Sequence, residues 1–295
     1  MEPRRKLQRE EQGYAVKTWR YLRVAMIALA AGLLVSIVYE IRDEGWDCVQ
    51  TSISAYYYTP VHGYFVGALL SIGVCLFCLK GSTEREDVLL NVAGMFALVV
   101  ALVPTADPDA CASVLRDDAA RYDSIENNVT ALITAGVAVL LFVVLFGWRF
   151  DDEDRGRPTH IGTIIVGGLL VVTVLVFWRA RDRFVGSAHF AAAAFMFICI
   201  FLVVCSNALQ AGRRREKSST RNLYIGVAGA MGVSVLGFGF AWLVDWDHRV
   251  LAIEAALIIL FAVFWVIQTI ELWKEGLRPP QPPPPSHTPT GGVET

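Results

Sequence analysis

The chain has 295 residues, 55% hydrophobic and 18% charged, with a mean hydropathy of +0.47 and a formal net charge of −2. Soluble domains run nearer 45–50% apolar and about 25% charged, so this composition argues against a soluble globular protein. The balanced charge gives no electrostatic footprint for nucleic acid, and no polar stretch between the apolar runs reaches the size of a domain.

Residues 1–18 come first, a basic segment in which Arg4, Arg5, Lys6, Arg9 and Lys17 interleave with Glu10 and Glu11. It reads as a cytoplasmic stretch that holds topology and touches anionic headgroups. Eight apolar runs follow: Trp19–Tyr39, Val61–Leu79, Val88–Pro104, Val129–Trp148, Ile161–Trp178, Ala188–Ala208, Leu223–Val244 and Val250–Leu272. A spanning helix needs roughly 20 apolar residues to cross a hydrocarbon layer of about 30 Å. Barrel strands would alternate polar and apolar residues, whereas these runs are apolar all round. The expected fold class is therefore all-α, a polytopic membrane bundle of eight transmembrane helices over residues 19–273. The first run is too long for a signal-peptide core and no convincing small-x-small site follows, so it is read as a retained helix. Residues 274–295 contain Pro279, Pro280 and the run Pro282 to Pro285. They are expected to be a disordered, proline-rich cytoplasmic tail, either simply solvated or docking a cytoplasmic partner.

Lys and Arg mark cytoplasmic loops. With the N-terminus inside, the inner segments collect 19 of the 26 basic residues. The outer segments keep Arg42, Arg116, Arg121, Arg179, Arg181, Arg183 and Arg249, and the Arg179–Arg183 loop is the one that dissents. The expectation is N-in and C-in. Trp19, Trp46, Trp148, Trp178, Trp242, Trp246 and Trp273 lie near span ends, as an interfacial belt requires.

Cys75, Cys78, Cys199 and Cys205 fall inside spans and read as small packing residues. Cys48 and Cys111 fall in outer polar loops, where a disulfide would persist, and are expected to pair. The seventh run holds Gly226, Gly229, Ala230, Gly232, Ser234, Gly237 and Gly239, and the fifth Gly162, Gly167 and Gly168. Small residues at this spacing let helices approach closely. Packing within the chain is the expected use, and a homo-oligomer through Gly226 and Ala230 the alternative.

Ionisable groups inside a span cost about 2.5–3.5 kcal/mol at the helix centre on insertion scales, so each needs an account. Glu254 lies just inside the eighth run, His189 opens the sixth, His62 opens the second, and Asp107 and Asp109 follow the third. All fall on the expected outer side. Just before the second run, residues 51–60 read TSISAYYYTP, a dense supply of hydroxyls. One account is an interfacial loop with helix-capping hydroxyls. The other is an outward polar pocket between the second, third, sixth and eighth spans, with Ser52, Tyr56, Tyr57, His62 and Glu254 binding a ligand. His62, His189 and Glu254 match the His₂-carboxylate set of a catalytic zinc by residue type, with Ser54 or Asp107 placing water or an oxyanion.

The stretch Ser52–Lys80, with SISAYYYTP followed by FVGAL, resembles a group of uncharacterised bacterial polytopic membrane proteins in which an S-I-S-x-Y-Y motif leads into a helix. In that group a later span opens with a His-Phe pair, as His189 and Phe190 do here, and a last span carries a Glu near its start, as Glu254 does. The resemblance implies a multi-pass protein of the bacterial plasma membrane. More distantly, Ser54, Asp107, His62 and His189 are similar in type to the set at helix ends in the alkaline ceramidase and progestin-receptor superfamily. That likeness implies a zinc-dependent lipid amide or ester hydrolase, although the family's histidine pair on its last helix has no counterpart here. The reading favoured is a membrane protein without catalysis or cofactor that binds a membrane lipid, a small molecule or a partner protein. The zinc hydrolase is its alternative and a transporter the second, the latter weakened by the lack of midplane charges and broken-helix repeats.

Overall fold

The structure is a computed structural model that describes residues 2–105, 118–146, 158–213, 218–244 and 246–274. Among these residues there are eight α-helices and no strand: α1 (Glu2–Glu44), α2 (His62–Cys78), α3 (Glu84–Leu102), α4 (Asp118–Phe146), α5 (Pro158–Arg179), α6 (Arg181–Arg213), α7 (Ser218–Val244) and α8 (Arg249–Glu271). Each expected apolar run lies within or largely overlaps one helix. Five helical stretches of the described residues are long and apolar enough to cross a membrane: Gly13–Glu44, Ala119–Phe146, Gly162–Arg179, Arg181–Gly212 and Arg249–Glu271. The protein is thus an all-helical chain of the multi-pass membrane type. α1 begins at Glu2 and runs through the basic segment 1–18. Of the expected tail, residues 275–295 lie outside the described residues.

Helix neighbours close into a ring. α1 packs on α2, α2 on α3, α3 on α6, α6 on α7, α7 on α8, and α8 returns to α1. α4 and α5 pack on each other and lean on α3 and α6 from outside the ring. Their outward faces stay bare, with Val139, Phe142, Val144, Ile164, Val172 and Leu175 more than half exposed. Exposed apolar faces of this extent fit hydrocarbon, not water. The interior holds two apolar layers. One gathers Met26, Leu76, Leu90, Val203, Tyr224, Phe264 and Trp265; the other gathers Leu33, Tyr56, Tyr57, Tyr58, Phe65, Val103 and Ile125. The two ends of the bundle are named below for Glu86, at the start of α3, and Ser54, before α2.

Close approach comes from glycines the sequence did not single out. A Cβ on Gly94 of α3 would meet the Gly73 carbonyl oxygen of α2 at 2.7 Å, and one on Gly73 would meet the Gly94 carbonyl at 3.0 Å. Gly32 of α1 leaves room for the Tyr64 ring, whose hydroxyl would lie 1.8 Å from an added Cβ. The glycines expected to pack do so only in part. Gly167 meets Leu140 of α4 and Gly162 meets Val88, but nothing lies within 4 Å of an added Cβ at Gly168, Gly226, Gly229, Gly232 or Gly237. The expected internal packing of the α7 stripe is therefore corrected at these positions. α7 turns Tyr224, Val227 and Met231 to the core instead, and Gly226, Gly229 and Gly237 are exposed.

Candidate functional site at the Ser54 end

Between α1 and α2 the chain folds back over the ring. Ser54–Tyr58 forms a single 3-10 helix, and all five of its residues are buried. A helix start exposes backbone N–H groups that need acceptors. Here they are supplied from α8. Glu254 takes the N–H of Ile53 at 2.6 Å and that of Ser54 at 3.3 Å, and its other oxygen takes the Ser54 hydroxyl at 3.1 Å. The favour is returned at the start of α8, where the Leu251 N–H donates to the Thr51 carbonyl at 2.9 Å and His248 Nδ1 lies 3.3 Å from the Gln50 carbonyl. The two helix starts cap each other.

The remaining hydroxyls are used locally. Ser52 Oγ accepts the Ala55 N–H at 3.0 Å, and Thr59 Oγ1 donates to the Tyr56 carbonyl at 2.9 Å. Tyr56 OH accepts the Gln50 N–H at 3.4 Å, and Tyr58 OH donates to the Thr105 carbonyl at 2.5 Å. Burial pushes the Tyr57 phenol above its ordinary pKa, with a hydrogen bond to Ser124 opposing that shift. His62 Nδ1 donates to the Tyr57 carbonyl at 2.8 Å, and the two rings meet edge-on at 4.3 Å between centroids. His189 donates from Nδ1 to the Val103 carbonyl at 2.5 Å; its Nε2 is buried without a hydrogen-bond partner.

Several expectations are corrected by this arrangement. Where an open pocket was expected between α2, α3, α6 and α8, Tyr56, Tyr57 and Phe65 are packed to 1% exposure. Ser54 and Glu254 do meet, but as a capping pair in which Ser54 is buried. No group of three His, Cys, Asp or Glu side chains placed to hold a metal occurs among the described residues, so His62, His189 and Glu254 do not form the expected zinc triad. The Glu254 carboxylate is taken up by Ile53 and Ser54, and each histidine is held through Nδ1 by a backbone carbonyl, that of Tyr57 for His62 and that of Val103 for His189. Asp107, Asp109 and Cys111 lie outside the described residues. Cys75, Cys78, Cys199 and Cys205 are free thiols, as their positions in the spans suggested. Among the described residues no complete disulfide is present; Cys48 is not one of the free thiols, and its expected partner is Cys111.

Open polar surface at this end lies elsewhere, on α4. Asp123, Glu126, Asn127, Thr130 and Ala131 line a groove of about 540 Å³, and Glu126, Thr130, Ile133, Thr134, Phe177, Trp178 and Arg181 line an adjoining one of about 450 Å³. Arg181 forms an ion pair with Glu126 across it. This places one of the dissenting outer arginines, which sits at the α5–α6 corner where only Ala180 separates the helices and Phe177 meets Phe184 edge-on at 5.3 Å.

The Glu86 end carries a polar cluster that was not anticipated. Glu86 is 2% exposed. It receives the Asn207 amide at 2.9 Å and the Gln210 and Gln268 amides at 3.4 Å each, while the Ser82 N–H donates to it at 2.9 Å. Gln268 also donates to Asn207 Oδ1 at 3.0 Å. The cluster ties α3, α6 and α8 together. Its signal in the sequence was the set of uncharged amides in or just beyond apolar runs, Asn207, Gln210 and Gln268, while Thr83-x-x-Glu86 reads as an ordinary capping box.

Comparison with protein-family models, with curated proteins and with solved structures returns no match for the chain.

Proposed function

We propose that this protein is a multi-pass plasma-membrane protein that binds a membrane lipid and performs no reaction, with the Ser54 end facing outward and both termini cytoplasmic. The observation that carries the reading is the fate of the reactive side chains. Ser54, His62, His189 and Glu254 are spent on bonds that close the Ser54 end, whereas the polar groups of α4 line an open groove. A nucleophile 6% exposed and bonded to a capped carboxylate has no access to a substrate. Polar side chains exposed on a helix of membrane type, next to bare apolar faces, match an amphiphile in both of its parts.

The test is to purify the full chain in mild detergent and examine it by native mass spectrometry and thermal unfolding. A retained phospholipid is expected. After delipidation, adding back lipid extract at about 100 times its Kd should add about 2.7 kcal/mol of stability. Protein that holds no lipid and shows no shift with any extract would remove the reading.

A further inference from the structure

We infer that the groove between α4 and the α5–α6 corner is a binding site for a zwitterionic phospholipid headgroup, the carboxylates of Asp123 and Glu126 taking the ammonium and Arg181 the phosphate. This rests on the lipid-binding reading above and names the headgroup.

The groove has a built direction. Asp123, Glu126, Asn127, Thr130 and Thr134 fall at three- and four-residue spacing, so they share one face of α4. All five are exposed. The stripe runs 11 residues, about 16 Å at 1.5 Å per residue, from Asp123 just before the fourth apolar run to Thr134 inside it, on a helix whose hydropathy is that of a membrane span. Polar groups at such a depth need partners that hydrocarbon does not offer. Thr134 meets this need internally, donating to the Thr130 carbonyl at 2.7 Å; Glu126 does so through Arg181.

Charge selects the occupant. Two carboxylates and one guanidinium leave the groove with an excess negative charge beside a cation. A purely anionic headgroup would meet both carboxylates. A headgroup with phosphate and ammonium side by side satisfies both signs. Arg181 presents a planar fork suited to phosphate oxygens, and Trp178, 78% exposed at the rim, offers a ring face to an ammonium. The Arg181–Glu126 pair is about half exposed, with side chains 42% and 52% accessible, so opening it to admit a headgroup costs little. Beyond the polar stripe, Val137, Leu141 and Phe142 of α4 and Val171 and Leu175 of α5 are exposed for acyl chains.

The test uses the delipidated full chain in detergent, titrated with phosphatidylethanolamine, phosphatidylcholine and phosphatidylglycerol, with bound lipid counted by native mass spectrometry. The wild type should bind the two zwitterionic lipids about tenfold more tightly than phosphatidylglycerol, the size of one charge-assisted contact. Glu126→Gln should erase most of that preference, and Arg181→Gln should weaken all three lipids. Asp123→Asn supplies the same contrast if Glu126→Gln fails to elute as a monodisperse peak. Equal binding of phosphatidylglycerol, or a preference untouched by the carboxylate variants, overturns the headgroup assignment and leaves the general lipid reading standing. Absence of binding by all three lipids overturns both.

Discussion

Glu254 accepts two backbone N–H groups and a hydroxyl from a segment about 200 residues earlier in the chain. A buried donor stripped of its acceptor costs about 1–3 kcal/mol. Glu254→Ala strips two N–H groups at once and should lower unfolding stability by at least about 2 kcal/mol on the same scale. Glu254→Gln keeps one oxygen acceptor and should lose less. Denaturant unfolding in detergent measures both, and a Glu254→Ala protein as stable as the wild type would show that the capping pair does not hold the Ser54 end. At the other end, Glu86 serves three amides from two helices, so its carboxylate acts as an interhelical tie rather than only as the cap its sequence context suggests. His189 differs from both. Its Nδ1 bond to the Val103 carbonyl positions the ring against the end of α3, with Nε2 left as a buried acceptor.

At the scale of elements, the α2–α3 contact depends on Gly73 and Gly94 because each helix backbone approaches the other within the space of a missing Cβ. Adding a methyl group there forces displacement, at about 1–3 kcal/mol for overpacking. Gly94→Ala should therefore destabilise by that amount. Gly229→Ala on α7 meets open space and should be neutral or stabilising by about 0.5–1 kcal/mol, the gain of Ala over Gly within a helix. Thermal unfolding of the two variants in parallel decides the matter; equal responses would contradict the packing described. The contrast also shows why glycine spacing alone misled. A small-residue stripe permits close approach, but whether another helix arrives depends on which face of α7 the core claims, and Tyr224, Val227 and Met231 claim the opposite one.

At the scale of the molecule, six helices close a ring and α4 and α5 flank it. The ring is sealed by polar layers rather than opened by them. Glu254 and Gln268 lie 14 residues apart on α8, about 21 Å along the axis, so the two layers sit near opposite edges of a hydrocarbon core of about 30 Å. The proposed orientation, which rests on the uneven arginines, puts the Ser54 end outside. The proposed Cys48–Cys111 disulfide belongs to that side, since only an oxidising compartment preserves it. Protein kept from reduction should migrate faster on a non-reducing gel, with the shift lost in Cys48→Ser and in Cys111→Ser. Identical mobility of wild type and variants under trapping by alkylation would refute the bridge.

Segment positions and membrane character were legible in the sequence because both depend on local quantities: run length, apolar content and charge. Glu254, His62 and His189 were legible as ionisable residues near the ends of apolar runs for the same reason. Their roles were not. Whether Ser54 faces a ligand or caps against Glu254, and whether the histidines share a centre, depends on how segments far apart in sequence meet. The amides Asn207, Gln210 and Gln268 carry no charge to mark them in the sequence, yet three of them around Glu86 make a single buried cluster. The sequence by itself determined an all-helical membrane chain, through hydrophobic runs that act one at a time. Only the tertiary structure decided which polar groups are sealed in and which remain open, because hydrogen bonding in a low-dielectric interior is a property of pairs.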